Sequence, residues 1–593
     1  MTKKYFTSLL SLLFFLPGFL STAFAQKDTT KLNQQVEVVK AYRPSISNAE
    51  KISLLPEIGD TTKFRPDLNY QTINHPITKG FRPSDVRSYN QFQREIVFPG
   101  YGKISGGFGS YSTPFFDLYV SNPGSQNGSF GIQINHLSSR GSVMLKGGSM
   151  IDAPFSYNRA QIFGSYVLDG ITISSELSYQ RDMNRFYGYP EAMPANILTD
   201  PFTKYFNQNQ LNQLGYFDLS VKNNATSNAN LKFDTGLKLG YFNTSTSQVE
   251  KAISLKGNFE YNFGTFTGRL NATFDHFTTD NVNTITDLLP LYSENSSWLQ
   301  LSPTIGFQND IMSLEGGMNL SNVFSNIDGT IFKPHPKAKF SLHTSENRLT
   351  LYAGADGYLQ NNTMSKIAEE NRWVNPTLKV RPTNHLNIFY GGIKGKISTP
   401  LAFDLGVKYS KTEDQYFYTT MVENKSGIAV PALKDLTYNN AFEVIYDNLS
   451  TVDFSGDLTY TTSNLYVLLA GHFYNYQLTS LEKAPYLPDF TLNATTNFKI
   501  NEKISATSEF FLTGPRNMQL KFFSPIWSSM SPPAPIYLQS SALIDVNIGA
   551  KYQFTNKLEF FGRIENLLNN REEVWYGYAV QGIRFKLGAS FSF

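Results

Sequence analysis

The chain has no cysteine, which removes disulfide frameworks, thiolate metal sites, cysteine nucleophiles and lipidation of a mature N-terminus in one stroke. Past the first two dozen residues it also lacks any run of 18 apolar residues, so it does not cross a bilayer with helices. Charge is scarce: Asp, Glu, Lys and Arg make up 17% of the 593 residues and the net charge is +3. That is too near neutral to attract nucleic acid. Apart from His136, the histidines are dispersed: among His75, His276, His335, His343, His385 and His472 none is paired at ligand spacing except His335 and His343, separated by seven residues. Neither an EF-hand spacing nor a Gly-rich phosphate loop between strand and helix is present. No cofactor is expected.

What is abundant is aromatic surface, with 48 Phe and 34 Tyr. Low charge and many aromatics together fit strands that meet a bilayer and its interfaces. The last segment, Gln581 to Phe593, reads QGIRFKLGASFSF. Alternation sets Ile583, Phe585, Leu587, Ala589, Phe591 and Phe593 on one face, against Arg584, Lys586, Ser590 and Ser592 on the other. An apolar face on a closing strand suits a barrel with lipid outside and water or protein within. Phe585, Leu587, Phe591 and the terminal Phe593 are therefore expected to form the C-terminal signal read by the outer-membrane insertion machinery.

The first 25 residues carry the order of a secretory signal: Lys3 and Lys4, an apolar stretch from Tyr5 to Leu20, then Ala23-Phe24-Ala25. Cleavage is expected between Ala25 and Gln26. Pro17 and Gly18 interrupt the apolar stretch and argue against a retained anchor. Residues 26–98 are punctuated by Pro44, Pro56, Pro66, Pro76 and Pro83. Each removes a backbone donor and favours extended chain before it. This is read as a periplasmic or lumenal arm, with Val36, Val38, Tyr42, Pro44, Phe64 and Tyr70 as a partner-docking strip.

From residue 99 to 593 alternating segments of about ten residues recur. Ser541 to Phe554 is the clearest. Tight turns at Asp169-Gly170, Asn501-Glu502 and Thr555-Asn556 join segments as hairpins. Longer connections fall near 182–212, 278–296, 359–384, 422–437 and 514–539. Short turns at one rim and long loops at the other predict an all-β, transmembrane antiparallel barrel of about 22 strands. Alternation weakens near 320–350 and 410–450, and loops varying from two to about thirty residues exclude a solenoid. Lys499, Lys503, Glu509, Lys551, Arg563, Glu565, Arg584 and Lys586 lie at polar positions and are expected to face the lumen, where they would be paired or hydrated, or would bias passing solutes.

Several stretches resemble a known family. VEVVKAYRPSISNAEKI at Val36 to Ile52, FRPDLNY at Phe64 to Tyr70, GSYSTP at Gly109 to Pro114 and INHLSSRG at Ile134 to Gly141 are similar to the TonB-dependent-receptor-like outer-membrane barrels of the Bacteroidetes. RIENLLNNREEVWYGYAVQGIRF, Arg563 to Phe585, resembles the penultimate and final strands of TonB-dependent receptors generally. The resemblance implies a 22-stranded barrel in the cell outer membrane, acting in transport or as a pore. TonB or other periplasmic proteins and a surface lipoprotein are the partners it implies. The segment before the first strand is shorter than a receptor plug domain, so the alternative is a non-transporting scaffold of an envelope complex. The chain is read as a non-enzyme. A remote alternative rests on His136 and Ser138, two apart on one strand face, an H-x-S arrangement similar to that of outer-membrane phospholipase A. The orienting Asn of that family is not assignable from the sequence, and a pair of rim side chains, hydrogen-bonded or solvated, is the plainer reading.

Overall fold

The computed structural model describes residues 101–593, apart from 123–127, 190–207, 224–229, 246–247, 282–291, 328, 345–347, 377, 425–435 and 523–533. The signal cleavage site and the arm strip at 36–70 lie outside the described residues. The barrel lies within the unit Asn48–Phe593.

Twenty-two strands form one antiparallel wall. Each pairs with its neighbour in sequence, and the first, Gly102–Gly109, closes on the last, Arg584–Ser592, in register Lys103↔Ser592 to Gly109↔Lys586. Closure leaves no free edge, as hydrocarbon demands. At this seam Gly107 opposes Gly588. A Cβ on Gly107 would collide with the Leu587 carbonyl and the Phe115 ring. Glycine there lets Phe115 and Phe561, with ring centroids 5.8 Å apart, cover the joint from inside.

Side-chain period 2 sorts the wall into two faces. On the last strand Phe585, Leu587, Phe591 and Phe593 are exposed outward, Leu587 at 63%. Ile305, Phe332 and Phe454 are as open on other strands, a pattern that only a lipid solvent makes favourable. The opposite face carries charge in ion-paired clusters. Arg269 bridges Glu260 at 3.0 Å and Glu315 at 2.9 Å, and Lys232 joins at 3.1 Å. Asp453 holds Lys408 at 3.4 Å and His472 at 3.1 Å.

The regions of weak alternation have physical causes. Within Leu401–Asn424 the ladder shifts register between Thr412 and Gln415 and again at Thr420/Val422, with Asp414 at φ 51°. Each bulge inverts the in/out phase. In Gly329–His343, pairing with Leu349–Gln360 starts only at Ala338, beyond Pro334 and Pro336, which have no N–H to give. On that side the far half of the partner strand is met by side chains instead, Asn319 donating to the Gly357 carbonyl at 2.7 Å and Gln300 to that of Leu359 at 2.9 Å, while its other side pairs with Thr383–Ser398.

All connections on the rim that carries residues 101 and 593 are short, including the turns at Asp169-Gly170, Asn501-Glu502 and Thr555-Asn556. The long connections lie on the other rim. Three more lie there beyond those the pattern suggested: 140–154, 479–489 and 566–583. The family-like stretch Arg563 to Phe585 is thus mostly a long-rim loop, the last strand beginning at Arg584.

Candidate functional site

Buried apolar residues collect at the long-loop rim. Val143, Leu145 and Ile151 come from the 140–154 loop with its small hairpin, Ser142–Met144 paired to Met150–Asp152. Phe186, Tyr187 and Tyr189 follow the strand Ile171–Arg185. Val574, Trp575, Tyr576 and Tyr578 come from 566–583. Two wall strands, Leu401–Asn424 and Leu436–Thr461, are 24 and 26 residues long, about twice what a bilayer needs. Their projecting ends supply Tyr418, Val422 and Phe442. A hairpin, Asn517–Phe522 with Ile536–Gln539, then adds to the projecting end in parallel, Thr420↔Leu520 to Val422↔Phe522. Leu520 and Val422 are fully buried. These pieces make a folded cap.

Its centre is aromatic. Tyr578 stacks on Trp373 at 4.2 Å between centroids and meets Tyr187 edge-on at 5.0 Å. Trp575 packs on Tyr418 and Tyr486, both at 4.8 Å. Two of its hydroxyls are tied to backbone: Tyr578 donates to the Asn440 carbonyl at 2.5 Å and Tyr187 to that of Ala579 at 2.8 Å. Burial pushes both phenols far above their ordinary range, so they remain donors. Gly188 lies against the Tyr578 ring, where a Cβ would clash.

A short helix, Met364–Glu370, hangs from the wall by its first turn. Glu250 accepts from the N–H groups of Met364 at 2.5 Å and Ser365 at 3.0 Å, and the Thr363 cap accepts from that of Lys366 at 3.4 Å. Three orphan donors are thereby satisfied. Met364, Ile367 and Ala368 form the buried stripe, and Glu370 accepts from Tyr416 at 2.6 Å. In the 566–583 loop, burial raises the Glu573 carboxyl above its ordinary range; the Gly577 N–H at 3.0 Å and Lys146 at 3.9 Å offset this in part.

Beneath the cap lies a cavity of about 480 Å³. Arg159, Asp182, Arg372, Asp545 and Arg584 bring both signs of charge to it, and Tyr157, Tyr187, Trp373 and Tyr578 bring aromatic faces. Arg372 lies over the Tyr157 ring at 4.1 Å and also donates to its hydroxyl. Tyr157 in turn donates to Asn184 at 2.7 Å. Gln180 links Arg159 to Asp182, at 2.7 Å on each side. Among the described residues no cluster of three or more His, Cys, Asp or Glu is arranged to hold a metal.

The charges singled out from the sequence separate into two groups. Glu565 binds Arg563, Arg584 and Lys586 at 3.2, 3.1 and 3.0 Å, and Arg563 reaches Glu509 at 2.6 Å. This chain of pairs stands on three wall strands, with Arg584 also lining the cavity. Lys551 is on the same inner face, opposite in parity to the exposed Ile548 and Tyr552. Lys499 and Lys503 flank the Asn501-Glu502 turn on the short-turn rim, where Lys499 pairs with Glu502 at 3.1 Å. They are remote from the cavity. Arg584 apart, the cavity residues and cap aromatics escape sequence reasoning: the loop residues carry no period, and strand residues such as Arg159 and Asp182 meet only through register. The one available signal was the pair of tryptophans Trp373 and Trp575, which fall in long connections.

No protein-family model matches the sequence, and no curated protein matches it. Solved structures do. The ferric-catecholate import receptor Fiu of E. coli K12 superposes with a TM-score of 0.57 at 11% identity, over 83% of this chain and 82% of that one. The FrpB iron transporter of Neisseria meningitidis gives 0.62 at 10%, over 83% and 82%. The ferripyoverdine receptor of the outer membrane of Pseudomonas aeruginosa gives 0.57 at 13%, over 83% and 71%. At such identities the likeness is one of fold: a closed 22-stranded antiparallel barrel, as in those receptors and transporters.

Proposed function

We propose that this chain is a barrel of the cell outer membrane that acts in transport, taking a ligand into the capped chamber at its long-loop rim. The long-loop rim of such barrels faces outward from the cell. The observation that carries the reading is the chamber itself: about 480 Å³, lined by charges of both signs and by aromatic faces, many of them supplied by the long loops rather than by the wall. Its size is that of a small-molecule site. Its chemistry suits a polar ligand with an aromatic or planar part, bound between Trp373, Tyr578 and the Arg159/Arg372 pair of cations. The lumen charges Glu509, Lys551, Arg563, Glu565, Arg584 and Lys586 then form the path below it, and the arm at 26–98 engages TonB or another periplasmic protein.

A second reading has its own support. A cap whose centre is as buried as a domain core favours a barrel that stays shut, serving as a scaffold for periplasmic partners or a surface lipoprotein. Planar-bilayer recording of the full chain, with and without Tyr578→Ala, separates the two. Transport predicts a closed barrel that gains discrete conductance when the cap is weakened. A variant that remains sealed while the protein co-purifies with envelope partners would replace transport with the scaffold.

A further inference from the structure

We propose that the outer wall carries a Ser138–His136–Asn158 hydrolytic triad acting on acyl esters of anionic amphiphiles at the membrane surface. His136 Nε2 lies 3.1 Å from Ser138 Oγ, and His136 Nδ1 lies 2.7 Å from Asn158 Oδ1. The third member, which the sequence does not assign, comes from the adjacent strand Phe155–Leu168, directly opposite His136 in the ladder.

Hydrogen bonding fixes the proton positions. Asn158 Nδ2 donates to the Arg181 carbonyl at 3.3 Å and to Ser156 Oγ at 3.1 Å. A carbonyl only accepts, so the amide nitrogen is turned to it and Oδ1 is turned to the imidazole. Nδ1 therefore carries hydrogen and Nε2 offers its lone pair to the Ser138 hydroxyl, the tautomer a general base needs.

The triad faces outward. Ile132 and Ile134, of the same parity on Gly128–Ser139, are exposed, whereas Asn135, Leu137 and Ser139 are buried. Ile162 and Tyr166 mark the outward parity of Asn158 in the same way. Ser138 is one residue from the strand's end at the long-loop rim. Across the ladder the same outward row runs Phe116, His136, Asn158, Arg181. Arg181 is exposed and stands two strands from His136, roughly 10 Å away at ordinary strand spacing. It supplies a cation for an anionic head group while Phe116 borders the acyl side.

In the reaction Ser138 Oγ attacks the ester carbonyl carbon as its proton passes to His136 Nε2. Ser156, opposite Ser138 and accepting from Asn158, has its own hydroxyl proton to give the oxyanion. Collapse breaks the bond to the alkoxy oxygen, which takes the proton from Nε2 and leaves as the alcohol. Water, deprotonated by Nε2, then attacks the acyl-serine; the carboxylic acid departs and Ser138 recovers its proton.

The test uses the full chain purified in detergent, with an alkyl fluorophosphonate as covalent probe and p-nitrophenyl octanoate as substrate. The expected result is an adduct on Ser138 by peptide mass spectrometry, absent from Ser138→Ala, and ester hydrolysis reduced roughly 100-fold or more in His136→Ala. Asn158 is a positioning residue: Asn158→Ala should slow hydrolysis and shift its pH profile, and Asn158→Asp, which keeps the acceptor, should restore the rate. Unshifted heat-modifiable gel mobility shows that each variant remains a barrel. An adduct only on Ser156, no adduct on Ser138, or hydrolysis indifferent to His136→Ala would overturn the proposal.

Discussion

The wall and the cap of this molecule are built by opposite rules. In the wall every second residue meets lipid, so burial is inverted and Leu587, Phe332 and Phe454 are among the most exposed side chains. In the cap, Leu520, Val422 and Tyr578 are buried as in a soluble core, although they come from loops and strand ends far apart in sequence. The wall owes its integrity to a closed backbone ladder, which tolerates side-chain change as long as the outward face remains apolar. The cap has little ladder and depends on particular side chains. Perturbing one should therefore leave the other standing.

The largest effect expected is at Tyr578. Tyr578→Ala removes the stack on Trp373, the edge contact with Tyr187 and the bond to Asn440, at a cost of about 3–5 kcal/mol to the cap. Proteolysis at the long-loop rim should accelerate while the heat-modifiable barrel persists; simultaneous loss of both would merge the two regions into one folding unit. The converse is Leu587→Arg, which puts a charge on the lipid face at about 2–4 kcal/mol. Urea titration in lipid vesicles should show the wall destabilised, with cap-specific Trp575 fluorescence changing only as the barrel itself unfolds.

A smaller effect tests the junction between the two. Glu250→Gln leaves one oxygen where two accepted from the helix 364–370, costing about 1–3 kcal/mol locally. Amide exchange of Met364 and Ser365 should quicken while that of Gln248–Phe263 does not. The smallest is a pH effect. Because burial raises the Glu573 carboxyl, the folded cap holds that proton more tightly than the unfolded loop does. Cap stability should fall as pH rises from the ordinary carboxylate range through the raised value, and be level above it. Glu573→Gln should flatten the dependence; an undiminished slope in that variant would assign it to another group.

The same contrast explains what could be read from the sequence. Alternation and turn chemistry expose the wall: Asp169-Gly170 and Thr555-Asn556 lie at hairpin ends, and the last strand has its apolar face outward. The pattern faded where Asp414 bulges a strand and where Pro334 and Pro336 replace ladder donors, both local departures from period 2. The cap left no comparable trace, because Trp373, Phe442, Trp575 and Tyr578 are joined only by tertiary packing. Glu509, Arg563, Glu565, Arg584 and Lys586 were recognisable one at a time, but their mutual pairing across strands depends on register. His136 and Ser138 were visible as neighbours on one strand, whereas Asn158 required the ladder to bring it opposite.

The absence of native cysteine makes the central claim directly measurable. A single Leu520→Cys should react with a membrane-impermeant maleimide far more slowly than a single Asn556→Cys on the exposed short-turn rim, in detergent where both rims are accessible, and should become reactive when combined with Tyr578→Ala. Equal labelling of Leu520→Cys and Asn556→Cys in the otherwise unaltered protein would mean that the long loops do not fold into a cap.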